Sequence, residues 1–165
     1  MKIGCLTIRD AIPDEASYLS DLSMRSKAYW GYSTEFMQSC ANELVINKTD
    51  IENSENHYVV ALLDTKVVGY YSLEVIAKSE IELSALFVEP EHIGSGIGYL
   101  LILNAKNLAL NLGAQKIIIQ GDPNAEKFYR SIGGKKIGSK ESESIPGRFL
   151  PLFEINLINS NRESH

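Results

Sequence analysis

Cysteine is scarce in this chain. Two of its 165 residues are cysteines, Cys5 and Cys40, and they form no CxxC. A disulfide scaffold or a cysteine zinc site is therefore not expected, and both thiols read as reduced. Long apolar runs are missing too: none approaches the ~20 residues of a membrane span. The start "MKIGCLTIRD" lacks the apolar core of a signal peptide. The expectation is a cytoplasmic protein with no membrane partner. Positive charge is in short supply, with a formal net charge of -5. That argues against nucleic acid, because neutralising phosphates requires a basic face. It leaves room for a small cationic substrate, which an acidic surface attracts. His57, His92 and His165 are scattered, so no metal site is expected.

What is present is an ordinary supply of core, 44% hydrophobic against 22% charged residues. At this length that suits one domain over 1–165 without staples. "CLTIRDA" (5–11) alternates and reads as a strand. A helix is predicted at about 13–28, with Pro13 in its first turn, Asp14 and Glu15 at its positive end, and Ala16, Leu19, Leu22 and Met24 as its apolar stripe. Gly31 breaks it, and a second helix restarts at Ser33 or Thr34. The polar stretch 47–56 reads as a loop. "HYVVALLD" (57–64), "KVVGYYSLEVI" (66–76) and "EIELSALFV" (80–88) are β-rich and joined by short turns, which predicts an antiparallel meander. A helix at 99–113, a strand at 114–121, a helix at 122–133 with Asp122 as N-cap, and a final strand pair complete the chain. The tail "NSNRESH" reads as frayed. The strands at 80–88 and 114–121, joined by a helix, should be parallel and the rest antiparallel: an α/β fold on a mixed sheet.

Between the third meander strand and the long helix stands "EPEHIGSGIGYLLI" (89–102). A glycine-rich loop that opens a helix is a phosphate-binding device. The first amides of the helix point outward, the helix dipole adds positive charge, and glycines let the backbone approach an anion. The loop is not a Walker A, since GK[ST] is missing, and a dinucleotide fingerprint would need glycine where Tyr99 stands.

"LFVEPEHIGSGIGYLLI" resembles motif A of the GNAT acetyltransferases, and "DPNAEKFYRSIGGKKIG" resembles their motif B. The resemblance extends over about 4–158. It implies a single-domain, mostly antiparallel sheet with flanking helices, whose parallel strand pair splays apart. It also implies acetyl-CoA as co-substrate. Gly94, Ser95, Gly96, Ile97 and Gly98 would hold the pyrophosphate. The backbone of Leu86, Phe87 and Val88 would pair with the pantetheine, and Asn124 would hydrogen-bond the cofactor or cap its own turn. Two positions depart from the family: Ile93 replaces a side-chain donor, and Gly134 stands where a phenylalanine is usual.

The resemblance places Tyr129 as general acid for the departing thiolate, against a plain packing role. Glu82 is the candidate base, with Glu74 second and a water chain as a third route. Trp30 and Tyr32 lie where the family binds its acceptor, and beside Tyr29 they would form an aromatic wall able to hold an amine by cation–π contact. The same rings would also serve as a hydrophobic bridge between two helices. The implied activity is N-acetylation of a primary amine of a small molecule or peptide. A non-catalytic acyl-CoA-binding sensor of the same fold is the alternative. The residues leave open which amine is the acceptor and whether the protein is a homodimer.

Overall fold

The computed structural model describes residues 5–158. The elements run β1 (Leu6–Asp10), α1 (Ala16–Ala28), α2 (Thr34–Leu44), α3 (Lys48–Glu52), β2 (Asn56–Leu63), β3 (Lys66–Ala77), β4 (Glu80–Val88), α4 (Ile97–Asn111), β5 (Lys116–Gln120), α5 (Glu126–Ser131), β6 (Lys135–Glu141) and β7 (Phe149–Asn156). The strands form one seven-stranded sheet in the order β1-β2-β3-β4-β5-β7-β6. β4 and β5 are parallel; β1 with β2, β5 with β7 and β6 with β7 are antiparallel. This is the mixed, mostly antiparallel α/β fold that the sequence predicts. The parallel register joins Glu80–Leu83 to Lys116–Ile119, whereas β4 itself continues to Val88.

Three local expectations need correcting. The polar stretch 47–56 is not all loop, because α3 forms inside it. The Asn47 N–H donates to the Asp50 carboxylate at 2.8 Å, and Ile51 packs on the core. One anchor in five residues is too short for any period to register. The segment 122–133 is also not one helix. Pro123–Ala125 form a 3-10 turn before α5 begins, although Asp122 caps it as expected, accepting from the Asn124 N–H at 2.8 Å. On α1, Met24 is only half-buried, and the stripe passes through Ser23 and Ser26 instead. The Ser23 hydroxyl can sit there because it donates to the Leu19 carbonyl and hydrogen-bonds the Tyr70 hydroxyl. The tail expected to fray lies outside the described residues.

The chain divides into two compact units, one of residues 1–72 and 85–101, the other of 73–84 and 102–165. The first has a core of Ala16, Leu19, Leu22, Ile46, Val60, Leu62, Val67 and Tyr70, with Phe87 packed against it. In the second, Ile117 and Ile119 alternate inward along β5, and Ile81, Leu83, Phe153 and Ile155 are also buried. β6 is exposed along its whole length. Its lysines 135, 136 and 140 and a bulge between Lys136 and Gly138 suit a sheet edge that must not recruit another strand.

Candidate functional site

In the first unit the glycine loop is built as a phosphate device requires. Gly94 and Gly96 have φ of +86° and +93°, a region other residues rarely enter. A Cβ built on either would meet nothing within 4 Å, so the loop presents bare backbone. α4 follows at once, 15 residues long, and its first amides have no partner inside the helix. These residues fit the pyrophosphate of a nucleotide cofactor. Ser95 is turned back on the loop, its hydroxyl donating to the His92 carbonyl. Ile97 is buried and pins the first turn, while Gly98 lies inside the helix. Leu86, Phe87 and Val88 are half-buried at the end of β4, and the Phe87 ring lies 6.0 Å from that of Tyr70.

Gly69 on β3 carries a role the sequence reading missed. A Cβ there would stand 3.1 Å from both the Phe87 carbonyl and Leu101 Cδ1, and 3.5 Å from Ile97 Cγ2. Its absence lets β4 and the first turn of α4 settle on β3. A glycine inside a β-branched run was the available signal.

The aromatic residues of the first unit pair with near neighbours. Trp30 meets Tyr29 edge-on at 5.7 Å, and Tyr32 stacks on Phe36 at 4.1 Å. Lys27 already stands over Tyr32, 5.6 Å from its centroid. Trp30 and Tyr29 remain exposed, at 44% and 53%.

In the second unit, burial raises the pKa of Glu82 above the usual carboxylate range; Glu74 and Glu143 add to the rise and Lys140 opposes it. The two carboxylates proposed as bases therefore feel one another. Tyr129 is only 9% exposed. Its ring lies 5.4 Å from Phe128 and 5.5 Å from Phe153. Burial, with a contribution from Asp122, pushes its phenol up to about 12. It therefore keeps its proton at neutral pH and has a hydrogen to donate. Asn124 is exposed, and its side-chain amide donates to the capping carboxylate of Asp122 at 3.0 Å, a local role in the turn.

Two glycines, one of them Gly134 noted above as a departure, shape this site by contacts the sequence does not show. A Cβ on Gly121 would fall 2.8 Å from the Tyr129 ring, and one on Gly134 would fall 2.6 Å from the Tyr129 carbonyl. Gly134 instead donates its N–H to that carbonyl at 2.8 Å. The glycine in the family's phenylalanine position thus has a packing reason. Lys106 on α4 also went unread: it donates to the Ile132 carbonyl at the end of α5 at 2.6 Å.

Comparisons with known proteins bear on the family and the fold. The acetyltransferase (GNAT) domain family model matches residues 18–146. No match was found among curated protein sequences. Among solved structures, the chain is similar to the PaiA N-acetyltransferase from Thermoplasma acidophilum in complex with coenzyme A, with 21% identity, a TM-score of 0.73 and coverage of 92% of this chain and 99% of that one. A GCN5-related N-acetyltransferase from Rhodopseudomonas palustris aligns with 21% identity and a TM-score of 0.76, over 94% and 98% of the two chains. An aminoglycoside 6'-N-acetyltransferase complexed with coenzyme A aligns with 18% identity and a TM-score of 0.69, over 92% and 97%. Among the described residues no helix is long and apolar enough to cross a membrane.

Proposed function

Because the chain belongs to the GNAT acetyltransferases, enzymes that take their acetyl group from acetyl-CoA, we propose that it acetylates a primary amine of a small molecule or peptide by direct attack on the thioester. The observation that carries this reading is the loop of Gly94 and Gly96, left-handed and bare, running straight into α4. In the proposed reaction the pyrophosphate rests on the loop and the first amides of α4, and Leu86, Phe87 and Val88 offer backbone groups to the pantetheine. Glu82, its pKa raised by burial, accepts the proton that the ammonium must lose. The freed amine attacks the carbonyl carbon, a C–N bond forms and the C–S bond breaks. Tyr129 supplies the hydrogen bond, and then the proton, to the departing sulfur. Trp30 and Tyr32 border the acceptor.

Two of the similar structures hold coenzyme A, and one acts on an aminoglycoside, which supports a small amine as acceptor. The test is turnover of acetyl-CoA with a broad panel of amines, read as release of free thiol. Thiol release with at least one amine is the expected result. Binding of acetyl-CoA with no turnover across the panel would favour a sensor domain, and no binding at all would overturn the reading.

A further inference from the structure

The glycine loop is held from below by an ion pair that no motif marks. Glu89 lies between β4 and the loop and is only 6% exposed, and a carboxylate that buried needs a partner. Its partner is Arg25, in the last turn of α1. Nε and Nη2 of Arg25 both donate to Glu89 Oε1, at 3.0 and 2.8 Å. The arginine is itself placed. Its guanidinium stands over the Tyr18 ring, 5.5 Å from the centroid, and the Tyr18 hydroxyl donates to the Val67 carbonyl at 3.0 Å. The next carbonyl along β3, that of Val68, accepts from the Glu89 N–H at 2.8 Å. Tyr18, Arg25, Glu89 and the β3 backbone therefore close a circuit. From Glu89 the bonding continues into the loop: the Glu89 carbonyl accepts from the His92 N–H at 2.8 Å, and the His92 carbonyl accepts from the Ser95 N–H at 3.1 Å.

We infer that Arg25 and Glu89 are positioning residues for the 93–98 loop and set the affinity for acetyl-CoA without touching it. The inference rests on the reading of that loop as the cofactor's phosphate site. An exposed ion pair contributes little, but the Glu89 side chain is only 8% exposed. Losing Arg25 strands a buried carboxylate. Glu89 can then regain water only by moving outward, and Pro90 and the start of the loop move with it. The loop amides leave the positions a diphosphate requires, while Glu82 and Tyr129, carried by the second unit, hold no bond in this circuit.

The experiment is calorimetric titration of acetyl-CoA into the wild type, Arg25→Gln and Arg25→Lys, with steady-state kinetics on the best amine of the panel. Arg25→Gln should weaken acetyl-CoA on the order of tenfold, the scale of one charge-assisted hydrogen bond. Its KM for acetyl-CoA should rise in step, while kcat at saturating cofactor and the KM for the amine hold. Lysine keeps the charge but not the two-donor edge, so Arg25→Lys should fall in between. A lowered unfolding temperature with unchanged affinity in the folded variant would make the pair mere scaffold and overturn the inference. Absence of acetyl-CoA binding by the wild type would instead overturn the reading of the loop. If Arg25→Gln does not fold, Arg25→Lys decides alone, and affinity equal to wild type counts against the inference.

Discussion

Tyr129, the proposed general acid, does not ionise in the working range. With its phenol raised to about 12 by burial, it gives the pH profile no basic limb near neutrality. Its contribution appears only as the C–S bond breaks, so it stabilises the transition state more than the bound thioester. Tyr129→Phe should therefore lower kcat on the order of 10²-fold, while acetyl-CoA affinity changes by less than about 1 kcal/mol. Kinetics beside a binding titration check both halves; full activity in the phenylalanine variant would remove the residue from the chemistry. Glu82 behaves in the opposite sense. A base must be deprotonated to work, and burial with help from Glu74 raises its pKa. The acidic limb of kcat/KM should thus lie above the ordinary carboxylate range. Glu74→Gln removes one repelling charge and should shift that limb to lower pH. A limb that stays in place in Glu74→Gln and persists in Glu82→Gln would assign the base to another group.

At the scale of elements, the loop and α4 act as one device. Gly96 has φ +93° with open space beyond its missing Cβ, so a side chain there would point into the region where an anion must come. A β-branched residue is also a strained outlier in that conformation. Gly96→Val should weaken acetyl-CoA at least tenfold, about 1.4 kcal/mol, as calorimetry on the folded variant would report. The loop's conformation was legible because its signal is local: proline, glycines and apolar helix follow one another within fourteen residues. Capping at Asp122 was legible for the same reason. The unread features are those whose cause lies far along the chain. Gly121 and Gly134 matter only because the Tyr129 ring and carbonyl come to rest on them. Arg25 and Glu89 stand 64 positions apart, and nothing near either one names the other. The ring pairing was hidden for a related reason: Trp30 and Tyr32 are two residues apart in sequence, but Trp30 meets Tyr29 and Tyr32 stacks on Phe36.

For the molecule as a whole, composition settled less than contact. Neither cysteine is in a disulfide; Cys5 is exposed and Cys40 buried. Native protein should therefore titrate one thiol quickly with a disulfide reagent and the second only after denaturation. Two fast thiols would contradict the burial of Cys40 on α2, and none would contradict the exposure of Cys5. Contact also governs what the chain can become. The family resemblance would prompt a designer pursuing consensus stabilisation to restore phenylalanine at 134. Here the backbone has closed down until Gly134 sits 2.8 Å from the Tyr129 carbonyl, and any Cβ would enter that carbonyl's shell. Gly134→Phe should therefore destabilise this chain rather than stabilise it, unless the end of α5 lifts away from the position.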